Sequence, residues 1–394
     1  MSRENKQFKK GILAGVIGVL CVEAGIGLGV GRALGGSVLT DMGFVNKLAS
    51  LEYMIDKYYL EDADKEKLEE GIYTGLVYGL GDPYSRYYTA EEYAEENSST
   101  QGEYVGIGIL MQRNEEGGMR IVDCYEGGPG EAAGLEKDDI ISAVNGKDVT
   151  EKEVKDVADM IKGKSGEKVI LTIHRENVEE AMKITVPITD VELPSVFHEM
   201  LDENTGYIRI SEFKGVTCQQ YQKAFSELKD SGMEKLVVDL RNNPGGLLNS
   251  VCDILNEILP EGLIVYTEDK YGNRSEETCE GKHPIDIPLA VLVNELSASA
   301  SEIFAGAVQD YGIGTIVGTT TYGKGVVQSI SALTDGSAVK LTVSNYFTPK
   351  GNSIHEVGIK PDVEVKLDAN LLNKDEITHE EDNQLQAALE VLNK

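Results

Sequence analysis

The sequence predicts a multidomain chain of mixed class, α+β in its first half and α/β in its second. Three observations predict it. Residues 41–97 carry a helical hydrophobic period, residues 101–190 a period of two, and residues 195–367 alternate short apolar strands with amphipathic helices. A chain of 394 residues is also too long for one ordinary core and has room for two or three.

The elements follow in order. Residues 11–34, GILAGVIGVLCVEAGIGLGVGRAL, are apolar over a length that spans a bilayer and follow Arg3, Lys6, Lys9 and Lys10. The basic flank is expected to stay in the cytoplasm and send the rest outside. Glu23 and the many glycines weaken this span. A cleaved signal peptide, giving a secreted protein, is the competing reading. No small-x-small site follows the apolar run, so residues 1–36 are read as a cytoplasmic stub and uncleaved transmembrane anchor, with Cys21 buried in the membrane. The expected location is the cell membrane, single-pass, with the larger part of the chain on the extracytoplasmic side.

In residues 41–97, Phe44, Leu48, Leu51, Met54 and Ile55 recur at three and four, and a second helix is expected from Lys65 to Leu80. It stops at GLGDPYSRYY, where Gly81, Asp82 and Pro83 break it. This segment is too small for a core of its own and must pack on the rest of the chain or on a second copy. Over residues 101–190, EYVGIGILMQ, MRIVDCY, DIISAVNGKDV and KVILTIHR read as strands and EVKDVADMIKG as a helix, a small strand-rich module. Residues 195–367 then run TGYIRIS, CQQYQKAFSELKD, KLVVDLRNNPGG, LLNSVCDILNEIL, GLIVYTE, LAVLVNE, SEIFAGAVQDYG and GTIVGTT, strand and helix in turn. Residues 368–394 form a tail ending in an amphipathic helix, HEEDNQLQAALEVLN.

Charge and cysteines exclude several function classes. With 37 basic against 67 acidic residues the net charge is -30, which argues against binding nucleic acid or an anionic membrane surface. The five cysteines, at 21, 124, 218, 252 and 279, have no C-x-x-C spacing and support neither a zinc site nor a disulfide framework.

Chemistry concentrates in three stretches. NELSASASEIFAGAVQ places Ser297, Ser299 and Ser301 on alternate positions before a helix. Ser299 with Glu302 fits a capping box, and it equally fits a nucleophile at a helix N-terminus, where unpaired N–H groups favour a developing oxyanion. A serine needs a base, and none of the five histidines stands in a context that suggests catalysis. Lys324, between Gly323 and Gly325 in TTYGKGVVQSI, is a base near neutral pH if burial depresses its pKa. Gln328, four residues on, is expected on the same strand face, within reach of the amine. VVDLRNNPGG ends a buried strand in a turn whose Gly245 and Gly246 present N–H groups, a second oxyanion donor beside the Ala300 amide.

Taken together, GLGDPYSRYYT, DLRNNPGG, SASASE, YGKGVVQ and YFTPKGNSIHEVGIKPDVEV stand in the order seen in the carboxyl-terminal processing proteases of family S41, and the chain resembles them from about residue 41 to about 367. The resemblance implies a serine endopeptidase with a Ser-Lys dyad: Ser299 as nucleophile, Lys324 as general base, Gln328 orienting the lysine, and Ala300 with Gly245 or Gly246 as oxyanion donors. It also makes residues 101–190 a PDZ domain. There YVGIGI, with Tyr104, Val105, Gly106, Ile107 and Gly108, resembles the loop that binds a peptide's terminal carboxylate. The expected partners are protein substrates held by their C-terminal tails, and a second copy of the chain joined through residues 41–97 and the tail. No cofactor or metal is expected. A non-catalytic peptide-binding scaffold on the same fold is the alternative, and intact Ser299, Lys324 and Gln328 argue against it.

Overall fold

A computed structural model describes residues 38, 41–372, 374 and 377–394. The apolar stretch 11–34, with Cys21 and Glu23, lies outside them. Among the described residues, no helix is long and apolar enough to cross a membrane.

The chain divides into two compact units, Met1–Leu76 and Val77–Lys394. The first holds helix Met42–Tyr58, whose N-cap Asp41 accepts from the Gly43 N–H at 2.8 Å, and the start of helix Lys65–Tyr78. Neither helix buries a residue, and Met42, Leu51, Met54, Ile72 and Leu76 are exposed on them.

One departure from the sequence reading opens the second unit. Residues 86–88 are a strand, antiparallel to Ala338–Phe347 with Tyr88 opposite Ala338, inside the GLGDPYSRYY stretch that reads only as a helix stop. The cause is burial: Tyr87 and Tyr88 are core residues, and pairing with a long strand shelters two aromatic rings that a surface helix would expose. A capped helix, Ala90–Gln101, follows, with Thr89 and Glu92 closing a full capping box.

In the small module the sheet runs Ile109–Arg113, Met119–Cys124, Ile140–Val144, Lys168–His174, Met182–Pro187. Helix Val154–Ile161 lays Val157 and Ile161 on a core that includes Met119, Ile121, Ile141 and Leu171. Strand Glu103–Gly106 leaves this sheet and pairs antiparallel with Thr189–Glu192, so the module's first and last segments meet.

The larger part of the second unit is built on a six-stranded sheet in the order Val196–Met200, Thr205–Ile210, Lys235–Asp239, Leu289–Val293, Thr315–Gly318, Val363–Glu364. Every pairing after the antiparallel first is parallel. Side-chain alternation feeds two cores. Leu236, Val238, Val291 and Val293 face helices Thr217–Asp230, Leu248–Asn256 and Ala300–Tyr311. Val237, Ala290, Leu292 and Val317 face the last helix, Asn383–Leu392. Burial on both faces explains why these strands read as continuous apolar runs. GLIVYTE, expected in the same alternation, belongs to a second, antiparallel sheet, where Gly262–Asp269 pairs with Arg274–Cys279 and with Ala338–Phe347. Its hairpin partner, RSEETC, is too polar to be recognised as a strand from its residues.

Candidate active site

Three adjacent parallel strands end at one edge, and each carries one of the three singled-out stretches. The strand ending at Asp239 runs into RNNPGG, the one ending at Val293 into NELSASAS, and the one ending at Gly318 into TTTYGKG. Crevices beyond the carboxyl ends of parallel strands are where α/β sheets bind ligands. Here a cavity of about 490 Å³ is lined by Ser299, Ala300, Gly245, Gly246, Lys324 and Gln328 together. Among the described residues, no histidine lines it.

The serines separate by what their hydroxyls do. Ser297 is fully buried, its Oγ donating to the Leu240 carbonyl at 2.8 Å and accepting from the Asn294 N–H at 2.9 Å. Ser301 is also buried and donates to the Asn243 carbonyl at 3.0 Å. Both stitch the NELSASAS segment to residues 240–243 at the entry to the RNNPGG turn, as does the Ala298 N–H bonded to the Asn243 carbonyl at 3.0 Å. Ser299 alone of the three reaches the cavity, with φ 54 and ψ -113. A positive φ on a serine costs about 1–3 kcal/mol and persists only where its surroundings over-determine it. The flanking bonds supply that constraint.

Glu302 does more than close the helix start. Its Oε2 accepts from the Ser299 N–H at 2.8 Å, the reach-back half of the capping box, while the Glu302 N–H bonds the Ser299 carbonyl at 2.9 Å. The same carboxylate accepts from the Lys324 N–H at 2.9 Å, the Gly323 N–H at 2.7 Å and the Thr321 hydroxyl at 2.6 Å. Fully buried, it ties the serine segment to the lysine segment. Burial pushes its pKa above the ordinary value and the four donors pull it back. Local sequence reading saw only the cap, because the other three donors arrive from a loop some twenty residues away.

Lys324 lies one residue before Gly325, which packs so closely on the His355 backbone that a Cβ would stand 2.2 Å from the His355 nitrogen. Burial, then the Lys340 ammonium, depress the Lys324 pKa, and Glu302 and Asp82 oppose them. Its Nζ sits over the Tyr84 ring, 4.7 Å from the centroid, rather than bonded to Ser299 Oγ. Tyr346, buried, donates to the Lys324 carbonyl and lies against the Ser299 side chain. Tyr84 and Tyr346 are site residues that the sequence reading did not select. Tyr84 stands within GLGDPYSRYY, taken there as a helix stop.

Gln328 and the two glycines have definite partners in the structure. Gln328 does not hold the Lys324 amine: its Nε2 donates to the Val326 carbonyl at 3.4 Å and to Thr342 Oγ1 at 3.3 Å. The strand begins only at Val326 and its pairing shifts register between Val327 and Gln328, so strand alternation does not extend back to Lys324. The two glycine amides also differ. The Gly245 N–H is taken by Asn243 Oδ1 at 2.8 Å, whereas the Gly246 and Ala300 N–H groups donate to no other described residue. Gly245, at φ 106, is needed for close approach, since a Cβ there would stand 2.7 Å from both the Ala298 carbonyl oxygen and Ser299 Cβ.

In the small module, Tyr104, Val105 and Gly106 lie on strand Glu103–Gly106 and Ile107 and Gly108 follow it, and none of the five lines the cavity, although Glu96 and Thr100 just before them do.

Comparison with known proteins agrees with this organisation. Residues 204–365 match peptidase family S41, residues 120–175 a PDZ domain, and residues 36–92 the N-terminal domain of the activating protease CtpB. A "Probable CtpA-like serine protease" of Staphylococcus aureus (strain COL) is 35% identical over 340 residues, 85% of this chain and 68% of its relative. A "Carboxyl-terminal-processing protease" of Synechocystis sp. is 37% identical over 318 residues, 79% of this chain and 74% of the relative. Among solved structures, the photosystem II D1 C-terminal processing protease aligns with a TM-score of 0.47 and 28% identity, over 80% of this chain and 86% of that one.

Proposed function

Because the chain belongs to peptidase family S41, among its carboxyl-terminal processing proteases, and is a serine-type endopeptidase with a PDZ domain, we propose that Ser299 and Lys324 form its catalytic dyad. The observation that carries this is the sorting of the serines: two hydroxyls are spent on backbone carbonyls, and the third faces the cavity that Lys324 also lines. Lys324, its amine made less basic by burial, turns from the Tyr84 ring to Ser299 and takes the hydroxyl proton as Oγ attacks the scissile carbonyl. The Ala300 and Gly246 N–H groups receive the oxyanion, at the start of the helix where its dipole adds to them. Lys324 returns the proton to the leaving amine, and water it deprotonates then hydrolyses the acyl-enzyme. Gln328 acts from the cavity wall as an orienting group once the amine has turned.

The same reading has the PDZ domain hold the C-terminal tail of a protein substrate on the loop of residues 104–108, with the tail added to the sheet edge. Residues 11–34 anchor the chain in the membrane, their basic flank keeping residues 1–10 cytoplasmic and the protease outside. The apolar side chains exposed on the two N-terminal helices support self-association.

The test is labelling by a fluorophosphonate probe together with turnover of a protein substrate. Ser299→Ala should lose both with an unchanged unfolding midpoint, and Ser301→Ala should retain labelling at Ser299. Turnover surviving in purified Ser299→Ala would end the assignment.

A further inference from the structure

The loop expected to bind a terminal carboxylate is not empty of oxygen: a side chain of this chain has put one there. The Gly108 N–H donates to Tyr104 Oη at 3.1 Å, and the Ile109 N–H turns to the same hydroxyl. These are the two N–H groups at the start of the strand Ile109–Arg113 that a peptide's carboxylate would need. The register explains why they are on offer. Ile109 stands opposite Cys124, and the flanking bond runs from the Tyr125 N–H to the Gly108 carbonyl at 2.9 Å. That makes 109 and 124 a non-hydrogen-bonded pair, so the Ile109 N–H points away from its partner strand, toward the open edge. Gly108, at φ 70, turns its own N–H the same way.

The phenol reaches the loop because Gly106 lets it. The Tyr104 ring folds back across Gly106, where a Cβ would stand 2.2 Å from Cε2 and 2.8 Å from Cδ2. Any residue but glycine at 106 would push the ring off. Tyr104 is held at its backbone by pairing with Val191, so the ring moves by side-chain rotation alone, without breaking the strand. Burial raises the phenol's pKa, which keeps it a neutral, displaceable ligand.

We infer that Tyr104 is an intramolecular plug of the carboxylate site: its hydroxyl occupies the Gly108 N–H group and stands beside that of Ile109, and a substrate's C-terminal carboxylate binds only by displacing it. The inference rests on the reading of the PDZ domain as a C-terminus reader. A carboxylate accepts from two N–H groups more strongly than a neutral phenol does, so displacement is favourable for a free C-terminus and not for an uncharged end. The plug therefore selects for the charge while lowering the apparent affinity by the fraction of molecules in which the loop is open.

The experiment uses the full chain carrying Ser299→Ala to prevent cleavage. The probe is a fluorescein-labelled decapeptide pool, randomised at the last three positions, prepared as free acid and as C-terminal amide. Tyr104→Phe removes the hydroxyl, and Gly106→Ala displaces the ring while keeping the hydroxyl. Both should tighten binding of the acid pool about three- to tenfold, the net worth of one hydrogen bond, and leave the amide pool unchanged. If the wild-type loop prefers acid over amide but neither variant tightens the acid, or both weaken it, the plug is overturned and the C-terminus reading stands. If acid and amide bind alike, or neither binds, on all three forms, the C-terminus reading falls and the plug with it.

Discussion

Glu302→Gln tests whether one buried carboxylate holds the two halves of the proposed dyad in place. The substitution keeps size and shape but replaces one acceptor oxygen with an NH2 group. On the Oε2 side that group would face the Ser299 and Lys324 N–H groups, two donors against a donor. On the Oε1 side it would face the Gly323 N–H and the Thr321 hydroxyl, which already accepts from the Ile359 N–H at 2.7 Å. Either orientation leaves at least one buried N–H without an acceptor, at about 1–3 kcal/mol, and makes the surviving bonds neutral, roughly halving each. A loss of about 2–4 kcal/mol of stability follows, within the range expected for a broken buried network. If the same energy is missing in the transition state, acylation slows by about 30- to 1000-fold. Urea unfolding, read as a lower midpoint at constant slope, and the rate of fluorophosphonate labelling measure the two effects. A third readout separates positioning from plain destabilisation: the Glu302 charge raises the Lys324 pKa, so its removal should move the acid limb of the rate profile to lower pH. An unchanged midpoint with labelling within threefold of wild type would refute the argument.

Two further predictions concern the base. Lys324→Arg should label and turn over at least about a hundredfold more slowly, because a guanidinium stays protonated and cannot take the serine proton; activity within a few-fold of wild type would show another base at work. Lys340→Gln removes the like charge that, after burial, depresses the Lys324 pKa, so the acid limb of kcat/KM should shift to higher pH. Since the depressed pKa means that the unfolded chain binds more protons between it and lysine's ordinary value near 10.4, Lys324 makes stability rise with pH across that window, and Lys340→Gln should narrow the window. A rate profile that does not move would remove Lys340 from the account.

Much of this protein was legible before any coordinates, and the reason is physical in each case. Strands buried on both faces must be apolar throughout, so KLVVD and LAVLV announced a parallel sheet, and helices packed against it needed a stripe, which CQQYQKAFSELKD shows. The order of motifs carried the family. Strands whose stability comes from a partner rather than from their own side chains stayed hidden: Arg86–Tyr88 depends on the strand opposite, and RSEETC on its hairpin.

The site divides along the same line. The amino-acid sequence by itself marked the candidates, because a serine ahead of a helix, a lysine between glycines and a Gly-Gly turn are local patterns with local causes, and the order of motifs chose among them. Tertiary structure decided what each one does, because a hydroxyl or an amide is defined by the group it meets. Ser297 and Ser301 are structural only because the carbonyls of Leu240 and Asn243 are brought to them across 57 and 58 residues. Gly246 rather than Gly245 keeps its N–H because Asn243 folds back on its neighbour. Glu302 joins the serine and lysine segments only once the loop of residues 321–324 is closed over it. Hydrogen bonds between distant segments exist only after the chain has folded, and no periodicity along the sequence records them.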